Sequence, residues 1–170
     1  RPNGYISFAY DATPFVKYGE DNIIAVRVDH SKSADSRWYT GSGIYRNVWL
    51  VYSNLVHIAQ WGVYTYPEVI NGTGTLNVEV ALENGSASKT NLTVVNELLD
   101  NKGKTVAKSS QKVSVEANKE NKTTVKINVK NPQLWDLEHP NLYQLKTTVL
   151  KDGKQIDKTV TAAGFRNFTF

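Results

Sequence analysis

The residues best suited to chemistry lie in one run between Asp35 and Leu50. This run places a carboxylate, two arginines, four aromatic rings and two glycines in a loop that passes into a strand. Glycine permits positive φ angles and a close approach of the backbone to a neighbour. Tyr and Trp rings present flat apolar faces, and arginine presents a planar fork of donors. The run therefore predicts contact with a sugar ring or with an adjoining domain.

Other kinds of site have little support in the sequence. The three histidines, His30, His57 and His139, lack the His-x3-His spacing of a zinc site, and no cofactor is implied. The Gly-Ser-Gly triplet at 41–43 lacks the strand-then-helix context that a phosphate loop or a nucleophile elbow requires. The glutamates lie in polar alternation or in turns, so we expect them to be solvated.

The elements that must position the loop are strands. Apolar and polar residues alternate with a period of two, which is typical of half-buried antiparallel strands, and no helix longer than a turn or two is expected. Turn sequences at 83–85, 100–103 and 151–153 suit tight hairpins with left-handed residues. The predicted strands are 60–69, 74–83, 90–99, 104–108, 111–116, 123–130 and 143–151, with a closing strand at 155–163. This pattern, without cysteine, favours a fibronectin-like immunoglobulin sandwich that has no disulfide.

Residues 1–58 form a different kind of segment. They predict three strands, near 4–10, 22–30 and 47–58, and three strands are too few for a free-standing core. We therefore expect this segment to be the tail of a larger β-domain that packs on the sandwich or on another copy. Open strand edges in such a tail favour self-association.

Composition narrows the class of protein. Of 170 residues, 40% are hydrophobic, enough for a globular core, and no apolar stretch approaches the roughly 20 residues of a membrane helix. The net charge of +4 comes mainly from lysines interleaved with acids in the second half, away from most aromatics, which disfavours nucleic acid as a partner. The absence of cysteine and of a signal pattern leaves the compartment open. A chain that begins with Arg and has no Met is expected to be a piece of a longer protein.

The run from Asp35 to Leu50 closely resembles the DSRWY-G-G-IYR-V-WL segment that ends the sugar-binding jelly roll of glycoside hydrolase family 2, the β-galactosidases in particular. Residues 4–13 and 21–29 resemble the preceding strands of that domain. Residues 131–143 and the closing Gly-Phe-Arg at 164–166 resemble the last third of the family's immunoglobulin-like second domain. The resemblance implies a jelly-roll part at 1–58 and an immunoglobulin-like sandwich at 59–170.

The resemblance also implies a function. Family enzymes hydrolyse O-glycosidic bonds with retention, and both catalytic glutamates lie on a TIM barrel that follows the sandwich, so the full-length protein is expected to be a glycosidase and this chain alone inactive. Its expected partners are a β-galactoside-like carbohydrate, the barrel of the same chain and a second copy. The alternative is a stand-alone carbohydrate-binding or adhesion module. That alternative needs an exposed aromatic platform, and the alternation predicts few outward aromatics on the sandwich strands.

Asp35 and Trp38 are the candidate substrate-binding residues. In the resembled β-galactosidases an acidic residue just ahead of the aromatic binds sugar hydroxyls, and Asp35 matches it, although loop-length variation leaves Ser36 or Arg37 open for that place. Asp35 has a second open role, capping an Asx-turn. Trp38, like Tyr39 and Tyr45, either stacks on a sugar or packs between domains.

Four further side chains have expected structural roles. The Arg46 side chain is expected to tie the loop to nearby carbonyls or acids. Trp61 is expected to fill the junction between the two domains. Trp135 and Tyr143, which lie in a Pro-rich corner, are expected to anchor the core or an interface.

Overall fold

The computed structural model describes residues 6–29, 31 and 43–167, and the chain falls into two compact units, Arg1–Leu50 and Val51–Phe170. None of the described residues before position 56 lies in a strand. The strands predicted near 4–10 and 22–30, and most of 47–58, are thus not formed as such in the described residues. The reason is physical, since an extended segment becomes a strand only when a neighbouring strand supplies its ladder of hydrogen bonds.

The second unit is an antiparallel two-sheet sandwich, which confirms the all-β class and the immunoglobulin-like architecture. One sheet has the order β1-β2-β5 and the other the order β4-β3-β6-β7. The strands are β1 Val56–Ile70, β2 Thr73–Asn84, β3 Thr90–Leu99, β4 Thr105–Val115, β5 Lys119–Lys130, β6 Tyr143–Lys151 and β7 Lys154–Ala163. The described residues contain no helix, and so none long and apolar enough to cross a membrane.

Two segments predicted as separate strands form a single strand in the structure. The segments 104–108 and 111–116 belong to the single strand β4, which pairs with β3 through an uninterrupted register from Thr90↔Val115 to Leu98↔Ala107. The adjacent Ser109 and Ser110 do not end the strand because each faces a β3 residue in the ladder. Cross-strand pairing, which the local sequence does not reveal, overrides the weak β propensity of this stretch.

Turn chemistry sets most of the connections. Asp152 and Gly153, with φ angles of 50° and 76°, close the predicted β6–β7 hairpin, and Asn71 and Gly72, at 48° and 76°, close β1–β2 in the same way. Residues 83–85 are not a tight hairpin, and that prediction is wrong. The buried Asn84 side chain instead donates to Val115 O at 3.0 Å and accepts from the backbone N–H of residue 86, at a crossing from one sheet to the other.

The core between the sheets is built from aliphatic side chains of alternating residues, closed at one end by Phe165. Phe165 is fully buried and meets the Tyr143 ring edge-to-face at 5.3 Å. Its carbonyl accepts from Trp135 N at 2.8 Å, so the end of the described chain is bonded to the corner at 131–143. No room remains beside it, since a Cβ on Gly74 would lie 2.6 Å from the ring.

Side chains seal the sandwich where the edge strands β1 and β7 lie near each other. The Ile58 N–H donates to Asp157 Oδ2 at 2.7 Å, and the Asn167 amide bonds both the N–H and the carbonyl of Val69, at 2.9 and 2.6 Å. Such groups occupy backbone positions that another strand would need. Self-association through this part of β1 is therefore disfavoured. The self-association expected through the strand edges of residues 1–58 stays a prediction.

A row of three charges crosses the outer face of the four-stranded sheet. The Glu97 carboxylate lies 3.0 Å from Lys146 Nζ and 3.2 Å from Lys108 Nζ. The hydrogen bond from Lys146 has the larger effect and that from Lys108 the next, and together they hold the pKa of the Glu97 carboxyl below its ordinary value of 4.5. A lowered carboxyl pKa contributes stability that is present above the pKa of the unfolded chain and is lost as pH falls through the folded value.

We expect Glu97→Gln to lower the free energy of unfolding at pH 7 by about 0.5–1 kcal/mol and to flatten its decline below pH 4.5. Urea unfolding at several pH values between neutrality and acid measures both effects. Glu116→Gln is the matched control, because Glu116 has one lysine partner, Lys89, on a more exposed surface. Equal acid sensitivity of the parent chain and Glu97→Gln would contradict the expectation.

Candidate functional site

The predicted substrate-binding residues Asp35 and Trp38 lie outside the described residues, as do Arg37 and Tyr39. Their roles remain predictions. From the same run the structure describes Tyr45 and Arg46, whose guanidinium carbon lies 5.2 Å from the centre of the Tyr45 ring. This cation–π contact holds Arg46 against its neighbour in the chain. The contact differs from the expected ties to carbonyls or acids.

The corner residues have the predicted anchoring role. Tyr143 is buried in the core, and its hydroxyl accepts from the N–H of Gln133 at 2.9 Å. Trp135 is half-buried, and the guanidinium of Arg166 lies 5.0 Å from the centre of its ring. Both aromatic residues therefore fix the segment 131–143 to the end of the described chain, and neither presents an open platform.

A site that the sequence did not predict lies on β1. The β1–β2 register is interrupted between Ile58↔Leu82 and Val63↔Val80, so the four residues 59–62 face Ala81 alone. Within this bulge Trp61 has a φ of 54°, a conformation that is rare for a bulky side chain and costs on the order of 1–3 kcal/mol. Bulges of this kind re-aim side chains, and the Trp61 side chain is 67% exposed.

The residue after Trp61, Gly62, lies where only a glycine fits. A Cβ added to Gly62 would lie 2.6 Å from the carbonyl oxygen of Ala59 and 2.9 Å from that of Ala81. Glycine is thus required for the two strands to approach this closely. The backbone that carries Trp61 is fixed by packing on one side and by the ladder on the other.

A shallow cleft of about 200 Å³ lies beside Trp61 on the outer face of the three-stranded sheet. Its aromatic wall continues along β1 with Tyr64, 61% exposed, and beyond it Tyr66, 41% exposed, their ring centres 5.8 Å apart. Its other walls carry charged side chains from β2 and β5. These are Glu79, Glu83, Glu120 and Lys122.

The charges in the cleft are unbalanced. Lys122 Nζ lies 3.6 Å from Glu79 Oε1, and His57 Nε2 lies 3.6 Å from Glu83 Oε2. Three carboxylates therefore share the cleft with one ammonium group that already has a carboxylate partner. Such a surface offers many hydrogen-bond acceptors and disfavours anionic ligands.

The sequence contained a signal for this cleft. Tyr64 and Tyr66 are two apart, and Val63, Thr65 and Pro67 between and beside them are half-buried, so strand alternation places both rings outward. The prediction of few outward aromatics on the sandwich strands is wrong for β1. The outward position of Trp61, by contrast, depends on the bulge, which the period-two alternation of the sequence does not predict.

In the part of the chain that the structure describes, the carboxyl pKa values that are displaced, those of Asp11, Asp29, Glu97 and Asp136, are all lowered, chiefly by hydrogen bonds. A glycosidase general acid requires a raised pKa. Among the described residues no group of three His, Cys, Asp or Glu side chains is placed to hold a metal ion.

Comparison with known proteins gives the wider context. A β-galactosidase, BoGH2A of Bacteroides ovatus, is 44% identical over 170 residues, covering 99% of this chain and 20% of that protein. A β-glucuronidase of Formosa agariphila is 34% identical, covering 98% of this chain and 19% of that protein. The crystal structure of a family 2 glycosyl hydrolase from Bacteroides cellulosilyticus superposes with a TM-score of 0.89 at 33% identity, covering 94% of this chain and 22% of that one.

The chain thus spans about a fifth of the length of these relatives. Its residues 56–166, which include all seven strands of the sandwich, match the family described as Glycosyl hydrolases family 2. The match extends over more than half of the 170 residues, and the relatives extend it over nearly the whole chain. The chain belongs to glycosyl hydrolases family 2.

Proposed function

We propose that this chain is a non-catalytic part of a retaining family 2 glycoside hydrolase, a β-galactosidase that hydrolyses O-glycosidic bonds in carbohydrate metabolism. The observation that carries the proposal is the 44% identity to a β-galactosidase over 99% of this chain. This chain covers only 20% of that protein, so the rest of such an enzyme can hold the catalytic residues.

In this proposal, residues 1–58 complete a sugar-binding jelly roll and residues 59–170 form the immunoglobulin-like domain. Support comes from the first unit, where apolar side chains such as Phe8, Ile24, Val26 and Trp49 are more than half exposed. A segment that exposes so many apolar side chains needs further strands to cover them. The jelly roll of a longer protein supplies such strands.

The sandwich then acts as a scaffold. Its bonded corner at 131–143 and the fully buried Phe165 hold the end of the described chain rigidly, as a domain that orients a following TIM barrel must. Asp35 and Trp38 act from the jelly-roll loop, the carboxylate accepting sugar hydroxyls and the indole stacking on the ring. A homo-oligomer is also proposed, through surfaces other than the sealed part of β1.

Hydrolysis of p-nitrophenyl β-galactoside, β-mannoside and β-glucuronide tests the proposal, with the full-length protein and the 170-residue chain assayed side by side. We expect activity only in the full-length protein and highest on the galactoside. Hydrolysis by the 170-residue chain would overturn the non-catalytic role. Preference for the glucuronide or the mannoside would overturn the galactosidase assignment.

A further inference from the structure

The cleft beside Trp61 has a composition suited to a hydroxyl-rich ring. Trp61 presents a flat apolar face that the C–H side of a pyranose can cover. The carboxylates of Glu79 and Glu83 line the same cleft and accept hydrogen bonds from hydroxyl groups. Apolar contact on one side and acceptors on the other match the two kinds of surface that a sugar presents.

The charge of the cleft selects among glycans. With three carboxylates and one paired ammonium group, a uronate or a sulfated sugar would meet like charge, whereas a neutral hexose would not. The volume of about 200 Å³ is below the roughly 300–1,000 Å³ of pockets for drug-sized ligands, so a single ring fits better than a cofactor. An open cleft also lets the rest of a chain extend past Tyr64 and Tyr66.

We propose that this cleft binds one unit of a neutral glycan chain. Family membership makes glycans the molecules that this protein meets. The bulge gives the site its rigidity, because Gly62 and the β1–β2 ladder hold the Trp61 backbone before any ligand arrives. The proposal rests on the family and on the geometry of the sandwich, and it stands whether or not the full-length protein is a galactosidase.

The test uses the 170-residue chain and three probes, β-1,4-galactotetraose, β-1,4-glucotetraose and tetragalacturonate. Calorimetry gives the affinity, and ¹⁵N–¹H NMR follows the four indole N–H signals, one for each Trp in the chain. The Trp61 signal is assigned by its loss in Trp61→Asn. Asn is chosen because it tolerates a positive φ and so removes the ring without adding backbone strain.

We expect a neutral tetrasaccharide to bind at millimolar concentration and to shift the Trp61 signal, and the tetragalacturonate to bind more weakly. Trp61→Asn should weaken binding about tenfold or more, a loss of at least about 1.4 kcal/mol. Its melting temperature should be equal to or higher than that of the parent chain, because Asn tolerates the positive φ at this position. Glu79→Gln and Glu83→Gln together should weaken it less. Trp49→Asn is the matched control, since Trp49 is 77% exposed and lies outside the strands of the sandwich, and it should leave binding unchanged.

Three results would overturn the proposal. One is the absence of binding by both neutral tetrasaccharides, and another is tighter binding of the tetragalacturonate. The third is Trp61→Asn that lowers the melting temperature and leaves the sugar affinity unchanged, which would give Trp61 the predicted role of filling a domain junction.

Discussion

Phe165→Ala is expected to destabilise the sandwich by about 3–5 kcal/mol, the range measured for removing a fully buried aromatic side chain. Phe165 has no exposed surface, contacts the Tyr143 ring edge-to-face, and closes the end of the core against Gly74. The cavity left behind cannot collapse easily, because the surrounding strands are fixed by their ladders. Chemical unfolding of the 170-residue chain measures the loss.

Val160→Ala on strand β7 is the matched control. It removes apolar atoms five residues earlier in the chain, but the Val160 side chain is 55% exposed, so a change of less than about 0.5 kcal/mol is expected. Similar losses for Phe165→Ala and Val160→Ala would show that Phe165 is not the anchor of the core end. In the full-length protein Phe165→Ala should lower activity as well, because the proposed scaffold role requires the chain to leave the sandwich in a fixed position.

The sandwich was largely predictable from the sequence because its strands obey a local rule. Alternation over β3 and β6 places their bounds where they are observed, and the Asp-Gly pair at 152–153 marks a hairpin because its left-handed angles are a property of those residues. The buried Asn84 shows the limit of that rule. Its Asn-Gly sequence also suits a hairpin, but its side chain bonds across to Val115 and the chain changes sheets instead.

Two features of the sandwich depend on long-range contacts and could not be predicted from local sequence. Asn96 and Thr147 are polar and yet lie on the core face, where the Thr147 hydroxyl donates to Asn96 Oδ1 at 2.7 Å across two strands 51 residues apart. The left-handed Trp61 likewise depends on the β1–β2 register and on the absence of a Cβ at Gly62. Pairing between distant residues creates both features, so local propensity carries no trace of them.

Asp35→Ala in the full-length protein is expected to lower kcat/KM on a β-galactoside by about 10- to 150-fold, the equivalent of the 1.5–3 kcal/mol of a hydrogen bond to a charged group. The proposed role makes the Asp35 carboxylate an acceptor of sugar hydroxyls. Without this acceptor the site no longer distinguishes sugars that differ only in the orientation of that hydroxyl. The galactoside-to-glucoside preference should therefore fall together with the rate. Steady-state kinetics on both substrates measure the two effects.

Asp35→Asn separates the sugar-binding role from the Asx-turn role that the sequence leaves open. Asn keeps the side-chain oxygen that caps an Asx-turn, as Asp11 does for Thr13 N at 2.9 Å, but it lacks the negative charge. If the carboxylate binds sugar, Asp35→Asn should remain impaired, because the amide keeps one accepting oxygen but loses the charge and the second acceptor, and its melting temperature should be unchanged. If the residue only shapes the loop, Asp35→Asn should restore activity, and Asp11→Ala should lower stability to a similar small extent as Asp35→Ala. Because the two roles predict opposite behaviour of one conservative variant, this pair of substitutions decides whether the jelly-roll loop contacts the substrate.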